Sequence, residues 1–339
     1  MILGQDGVTS GAIYALLALA LVLIFSVTRV IFIPQGEFVA FGALTLAMLQ
    51  AGKVPATVWL LVAMGAIVAA IDGLARLRDR DTDGLASLLG WNLAYPLALA
   101  ALLHAVEPGG LPMALQILLT LAILVPLGPM IYRIAYQPIA ETSVLILLIA
   151  SVAVHLILTG LGLVFFGAEG ARTAPFSEGS LSIGEVSINL QTLWVVGCSL
   201  AFIIGLAAFF TRSLYGKALR ATAVNPSGAK LMGISPVVAG KLTFLLAALL
   251  GVFSGVLIGP ITTIYYDTGF LIGLKGFVAA IIGGLASYPL AAAGAVLVGL
   301  LESFSSFWAS AFKEVLVFTL IIPVLLWRSF NSHHVEDEE

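Results

Sequence analysis

The sequence predicts an all-α integral membrane protein, a polytopic helical bundle of about 10 or 11 transmembrane helices, and three observations carry that prediction. Of the 339 residues, 60% are hydrophobic and only 10% are charged, whereas soluble domains carry about 25% charged residues. The apolar residues form continuous runs rich in Leu, Ala and Ile, many of them long enough for a membrane-spanning helix. The runs lack the short alternating pattern of membrane β-strands. This composition excludes a soluble enzyme, a nucleic-acid binder and a disordered scaffold.

Eleven apolar runs, separated by charged residues or by clusters of Gly and Pro, predict the spans in chain order. They lie at 7–27, 36–51, 56–71, 91–105, 112–132, 142–166, 191–211, 241–261, 273–287, 290–308 and 313–328. The runs at 91–105 and 273–287 barely cross a bilayer, so a re-entrant course remains an alternative for both. Residues 1–339 are expected to form a single membrane domain.

The distribution of basic residues orients the predicted bundle, because cytoplasmic loops carry an excess of Lys and Arg. With residues 212–241 in the cytoplasm, eleven of the 15 basic side chains fall inside. The N-terminus is therefore expected outside and the C-terminus in the cytoplasm. The loop at 167–190 is then external and long enough to hold a short surface element. The charged segment 72–88 is expected to be a solvated connector, and 329–339 a mobile acidic tail.

Glycines that recur at every fourth position predict close approach of helix backbones. Gly251, Gly255 and Gly259 form such a series. Tight static packing and helices that slide past each other both fit this pattern, and both interpretations stay open.

A few charged side chains at membrane depth need partners, because an unpaired charge in lipid is costly. Glu37, which follows Gln35 and Gly36, either complements the positive end of a helix dipole or marks a helix that starts partway into the membrane beside a translocation path. Glu302 is expected to face a protein interior or a wet cavity, hydrogen-bonded by the serines that flank it. Lys275 is expected to extend its ammonium group toward the outer interface.

No catalytic, metal-binding or nucleotide-binding motif is found in the sequence. A phosphate-binding loop is missing, and Cys198 is the single cysteine. His104 and His155 stand alone in apolar runs, where a helix-to-helix hydrogen bond is the expected role. The sequence therefore predicts a chain that is not an enzyme and that binds no cofactor or metal.

The segment 212–241 contains five basic residues and no acidic one, yet several of its residues are apolar. Asn225 and Pro226 are typical of a helix start, and Gly233 is typical of a helix end. A short amphipathic helix is therefore expected at about 226–232. Its apolar residues either lie on the bilayer surface or dock into a groove of a soluble partner.

Several stretches of the chain resemble one family of membrane proteins. They are Gly11-Ala-Ile-Tyr-Ala-Leu-Leu-Ala-Leu, Thr28-Arg29-Val30, Gly36-Glu37, Arg220-Ala221, Asn225-Pro226, Ala229 to Ile234, Gly273 to Gly284, Leu301-Glu302 and Lys313-Glu314. In this order they are similar to the membrane permeases of branched-chain amino acid ABC transporters. The resemblance covers about 7–50 and 113–328.

The resemblance implies a permease subunit of the bacterial inner membrane that forms the translocation pathway for branched-chain or related hydrophobic amino acids. It implies a second related permease, two cytoplasmic ATPases that carry the ATP and Mg, and a periplasmic substrate-binding protein. The residues expected to couple to the ATPases are Arg220, Asn225, Pro226, Lys230, Leu231, Met232, Gly233 and Ile234. The candidates for the pathway or its gates are Gln35, Gly36, Glu37, Lys275 and Glu302.

Two departures from the family pattern keep alternatives open. Phe32-Ile33-Pro34-Gln35 stands where the family usually has Asn-Phe-Ala-His, so urea or short amides remain alternative substrates. Residues 56–110 are expected to hold an additional helical hairpin. The alternative from another class is an ATP-independent channel or ion-coupled transporter. Such proteins usually carry intramembrane ionisable pairs, and Glu302 is nearly the only deep carboxylate that the sequence predicts.

Overall fold

The computed structural model describes residues 2–78, 84–183 and 186–331, and helices dominate this part of the chain. The helices are α1 (Ile2–Thr28), α2 (Gln35–Gln50), α3 (Thr57–Arg78), α4 (Leu85–Leu89), α5 (Tyr95–Ala105), α6 (Met113–Leu124), α7 (Leu127–Ile131), α8 (Val144–Phe166), α9 (Leu190–Arg212), α10 (Leu214–Val224), α11 (Pro226–Leu231), α12 (Pro236–Ile258), α13 (Thr268–Ile282), α14 (Tyr288–Trp308), α15 (Lys313–Thr319) and α16 (Ile321–Asn331). Strands β1 (Ser180–Ile183) and β2 (Val186–Asn189) pair antiparallel.

Nine helical stretches within the described residues are long and apolar enough to cross a membrane. They are Ile2–Thr28, Thr57–Arg78, Leu85–Ala105, Met113–Ile139, Val144–Phe166, Leu190–Arg212, Pro236–Ile258, Tyr288–Trp308 and Ser310–Trp327. The shorter helices α2 and α13, of 16 and 15 residues, occupy the two other predicted segments. The predicted fold class, a polytopic all-α membrane protein, is confirmed.

The first helix, α1, lies in the centre of the bundle and is buried along most of its length. It packs against α12, α13 and α14. A Cβ atom at Gly11 would lie 2.8 Å from the Cα atom of Val296 in α14, and one at Gly7 would lie 2.9 Å from the Cα atom of Leu300. The missing side chains let the two backbones touch, as glycine does at membrane helix interfaces.

The connections mark two ends of the bundle, which are named here by their elements. The hairpin end contains β1 and β2, so the loop at 167–190 holds the short surface element that the sequence predicts. Backbone bonds of 2.9 and 3.0 Å between Ala171 and Ile264 tie this loop to the connection between α12 and α13. The α11 end contains α10 and α11.

The expected connector at 72–88 is helical in part, and the structure adds a helix for which the sequence made no prediction. Residues 72–78 continue α3 instead of forming a solvated connector, and the Asp72 carboxylate pairs with the Arg133 guanidinium at 2.6 Å. A second helix, α10, precedes α11, and the Ser213 hydroxyl caps it by accepting a 2.9 Å bond from the Gly216 amide. Residues 84–88 of the predicted connector lead into α4, while 79–83 and the tail from 332 to 339 lie outside the described residues.

Candidate functional site

A network of buried charges joins α1, α13, α14 and α15 in the half of the bundle toward the hairpin end. Lys275 of α13 is only 5% exposed. Its ammonium nitrogen lies 2.5 Å from Oε1 of Glu302 and 3.2 Å from Oε1 of Glu314. The Tyr14 hydroxyl donates a hydrogen bond to Oε2 of Glu302. Two carboxylates and one ammonium group thus share a site in which each charge has a partner of opposite sign, as charges at membrane depth require.

This arrangement corrects two expectations. Lys275 does not extend to the interface, because its ammonium group is buried between two carboxylates. The serines beside Glu302 do not bind it either. The Ser303 hydroxyl donates to the carbonyl of Leu3 at 2.6 Å, and the Ser305 hydroxyl donates within its own helix. Glu302 faces the protein interior, as expected: Lys275 and Tyr14 bind its carboxylate, and the side chain lines a cavity.

A cavity of about 370 Å³ adjoins this network. Its lining combines charges of both signs, hydroxyl groups and branched apolar side chains. The charged members are Asp6, Lys275, Glu302, Lys313 and Glu314; the hydroxyl members are Thr9, Ser10, Tyr14, Thr192, Thr262 and Thr268; the apolar members are Ile13, Ile258, Ile261, Leu271 and Ile272. The volume falls in the range of about 300–1,000 Å³ typical of small-molecule sites.

The second polar cluster lies where α2 begins. Oε1 of Glu37 is 2.7 Å from Nδ1 of His155, which lies halfway along α8. The Gln35 amide nitrogen donates a 2.9 Å bond to the carbonyl of Ala247, halfway along α12. The first turn of α2 therefore lies near the middle of the bundle rather than at an end. The other side-chain oxygens of Glu37 and Gln35 have no hydrogen-bond partner among the described residues.

Gly36 allows α13 to touch this first turn. A Cβ atom at Gly36 would collide with the carbonyl oxygen of Gly269 and lie 3.1 Å from the Cα atom of Gly273. No side chain fits between the two helices at this level. The first turn of α2 thus contacts three helices: Gln35 contacts α12, Gly36 contacts α13 and Glu37 contacts α8. Helix α13 also carries Lys275 of the other cluster.

The predicted glycine series lies where α12 passes other backbones. A Cβ atom at Gly255 would collide with the carbonyl oxygen of Val39 in α2, and Gly251 faces the same helix. A Cβ atom at Gly259 would lie 2.6 Å from the hydroxyl oxygen of Thr173. Each position of the series is therefore filled by a neighbouring segment.

The short helix predicted near 226–232 is present as α11. The Asn225 side chain caps it by accepting a 2.8 Å bond from the Gly228 amide, and Gly233 ends it with a positive φ of 83°. Leu231 and Met232 are 88% and 83% exposed. Lys230 is also exposed, Ile234 is half-buried, and the Arg220 guanidinium donates to the carbonyl of Phe210. The apolar tip of α11 thus projects from the bundle.

The two clusters also contain three residues that were not among the predicted site residues, namely Tyr14, His155 and Glu314. Tyr14 and Glu314 each lie in a stretch that carries the family resemblance, which is the signal that could have selected them. His155 meets its expected role, since it hydrogen-bonds a residue of another helix. His104 instead bonds the carbonyl of Ala100 in its own helix. In the ranges that the structure describes, no three His, Cys, Asp or Glu side chains group to hold a metal ion.

Comparison with known proteins places the chain in one family. The family described as the permease component of branched-chain amino acid transport systems matches residues 85–325. The chain is 28% identical over 331 residues to the high-affinity branched-chain amino acid transport system permease protein LivH of Salmonella typhimurium, which covers 95% of this chain and 91% of the relative. It is 32% identical over 208 residues to the permease protein BraD of Pseudomonas aeruginosa, covering 59% and 68% of the two chains. No solved structure gives a significant match. The chain therefore belongs to the permease-component family of branched-chain amino acid transport systems.

Proposed function

We propose that the chain is the permease subunit of an ABC importer that carries branched-chain or related hydrophobic amino acids across the bacterial inner membrane. The family supports the transport role, and LivH and BraD bear the names of branched-chain amino acid permeases. ATP hydrolysis takes place on two cytoplasmic ATPases, and a periplasmic protein delivers the substrate. A second related permease completes the membrane part. The hairpin end then faces outward and the α11 end faces the cytoplasm, in line with the basic residues at that end.

The cavity beside Lys275 is the observation that carries the substrate proposal. An α-amino acid presents a carboxylate, an ammonium group and, for this class, a branched apolar side chain. The cavity offers an ammonium group on Lys275, carboxylates on Glu302 and Glu314, and isoleucine side chains within the same 370 Å³ space. In the form described here the protein charges pair with one another. A zwitterion that enters the cavity can pair its carboxylate with Lys275 and its ammonium group with Glu302 or Glu314. Substrate binding therefore breaks the ion pairs that hold α13 to α14 and α15, which links binding to opening of the pathway.

Substitution of Glu302 tests the pathway role. Glu302→Gln keeps the side-chain length and the acceptor for Tyr14, while Lys275 retains Glu314, so the protein should fold. A hydrogen bond to a charged group contributes about 1.5–3 kcal/mol, so leucine uptake by the complete transporter should fall about tenfold or more. Glu178→Gln, on the exposed loop at the hairpin end, is the matched control and should transport normally. Normal uptake by both Glu302→Gln and Glu302→Leu contradicts the pathway role.

The coupling proposal rests on α11. A helix-in-groove contact is anchored by a few apolar residues with charges at its rim, and α11 exposes Leu231 and Met232 beside Lys230. Arg220, Asn225, Pro226, Gly233 and Ile234 form and hold the rest of this segment. We propose that it docks on an ATPase and transmits the movement that ATP drives there.

Leu231→Asp tests this contact, since it places an unpaired carboxylate in the proposed groove. The cost is on the order of 3 kcal/mol, or about 100-fold in affinity. Permease levels in the membrane should be normal, while the co-purified ATPase and substrate-stimulated ATP hydrolysis are lost. Leu231→Met keeps an apolar side chain and should behave as the parent does; Gly233→Val should give a milder loss. Full ATPase association in Leu231→Asp would leave α11 as a helix on the membrane surface.

An ion-coupled transporter is a second candidate, because two buried ionisable pairs favour it. Glu37 with His155, and Lys275 with Glu302, are the kind of intramembrane pairs that such proteins use. Proteoliposomes that contain this chain without ATPases separate the two candidates. The importer proposal predicts no leucine uptake under an imposed proton gradient; gradient-driven uptake supports the alternative. Urea in the same assay tests the other substrate class.

A further inference from the structure

Two neighbouring cavities at the α11 end form one continuous groove, called here the inner groove. One cavity, of about 340 Å³, lies between α3, α5, α7 and α12. The other, also of about 340 Å³, lies between α7, α9, α10 and α12. Pro129, Lys241 and Leu245 line both cavities. The groove therefore passes the Lys241 side chain and continues on both sides of it.

Among the described residues that line the inner groove, Lys241 is the one charged side chain without a partner of opposite charge. The Arg133 guanidinium is paired with the Asp72 carboxylate, at 2.6 and 2.7 Å from Nη2 and Nε. Lys241 makes no hydrogen bond or ion pair with any residue that the structure describes. Asn92 and Tyr95 use their donors on helix carbonyls. An anion beside Lys241 would balance a charge that no described residue pairs with.

On α12 the groove presents one basic side chain among apolar ones. Val238, Lys241, Leu242 and Leu245 are spaced so that they lie on one face of that helix. Val238 and Leu242 line the α10 side, and Leu245 lies one turn deeper than Lys241. Trp91 and Tyr215, at the two margins of the groove, are 71% and 67% exposed. A basic residue flanked by exposed aromatic rings near helix ends is typical of the membrane interface.

We infer that the inner groove binds an anionic phospholipid, with the phosphodiester against Lys241 and an acyl chain along Leu242 and Leu245. Each feature of the groove matches one part of that molecule. The Lys241 ammonium group matches the phosphate, the rings of Trp91 and Tyr215 match the interfacial region, and the side chains of Leu242 and Leu245 match the acyl chain. Basic pockets between transmembrane helices at the cytoplasmic face are known to take such head groups. The lipid joins α3 and α5 to α12 on one side and contacts α10 on the other, next to the proposed coupling segment.

Native mass spectrometry of the full chain, purified with its partner subunits, tests this site. The complex is titrated with mixed micelles that contain phosphatidylglycerol or phosphatidylcholine. The parent should retain phosphatidylglycerol in preference to phosphatidylcholine, and Lys241→Gln should weaken phosphatidylglycerol binding about fivefold, as expected for one basic residue. Lys217→Gln removes an exposed lysine of α10 at the same end and should have no effect.

Two further measurements distinguish binding of the lipid from binding of free phosphate, and test the groove with a variant that keeps Lys241. Inorganic phosphate in excess should not displace the lipid, because it lacks the acyl chain. Val238→Trp fills the α10 side of the groove while it keeps Lys241, and it should weaken both lipids. Equal retention of the two lipids by the parent overturns the proposal. So does unchanged lipid binding in Lys241→Gln and Val238→Trp, displacement by inorganic phosphate alone, or a groove that the second permease covers.

Discussion

The Glu37–His155 pair allows a sharp prediction about what holds α8 to the bundle. Besides this pair, α8 buries only Leu147, Ser151, Leu158 and Gly162. The Glu37 and His155 side chains are 2% and 13% exposed. His155→Leu leaves the Glu37 carboxylate buried without a partner, and breaking a buried pair in this way costs about 3–5 kcal/mol. Because His155 is partly exposed, we expect about 3 kcal/mol.

The test depends on how the three variants rank by their loss of stability. Glu37→Leu should cost less than His155→Leu, because a neutral imidazole with some exposure is cheaper to leave unpaired than a carboxylate. The double variant Glu37→Leu with His155→Leu should recover most of the loss, since apolar replacement of a buried pair is often nearly neutral. The free energy of unfolding is measured by denaturant titration in detergent micelles. His104→Leu, on an exposed ring bonded within its own helix, is the control and should change stability by less than about 1 kcal/mol.

A double variant as unstable as His155→Leu alone would refute this reasoning, since it would show that the imidazole contributes through packing rather than through the carboxylate. So would a His155→Leu protein as stable as the parent.

Two other predictions concern packing and topology. Gly255→Leu should reduce the yield of folded protein, because its Cβ collides with α2 backbone and overpacking typically costs about 1–3 kcal/mol or more; Gly205→Leu, which meets nothing within 4 Å, should be tolerated, and equal yields would contradict the argument. In a Cys198→Ala background, a cysteine at Ser180 should react with an impermeant thiol reagent in spheroplasts and one at Ser227 should not. The reverse labelling would invert the proposed orientation.

The positions of the helices could be predicted from the sequence because the bilayer imposes a simple rule of length and polarity. Each of the eleven predicted runs overlaps one or two helices, although the run at 273–287 extends beyond the end of α13 at Ile282. The sequence made no prediction for α10, for a physical reason: Lys217 and Arg220 are typical of a solvated loop by charge, yet they lie on an amphipathic helix that buries Leu219 and Thr222. Charge alone does not separate a polar loop from a half-buried interfacial helix.

The partners in the polar clusters could not be predicted in the same way. Tyr14 and Glu302 are 288 residues apart, and Glu37 and His155 are 118 apart. The rule that deep charges need partners correctly indicates that Glu302 and Glu37 each have a side-chain partner on another helix. It does not say by which residues, because that depends on which helices become neighbours. The flanking serines were the wrong choice for Glu302, since their hydroxyls reach helix carbonyls first.

The contact between α1 and α14 also bears on how the protein is made. At about 5–20 residues per second, the ribosome reaches Glu302 roughly 15 to 60 s after Tyr14. During that time α1 has left the ribosome while the helix that covers Gly7 and Gly11 has not yet been synthesised. Lys275 likewise enters the membrane before either of its carboxylates. A chain released early, after α13, would carry the Lys275 ammonium group without either of its carboxylates, and an unpaired charge at membrane depth is costly.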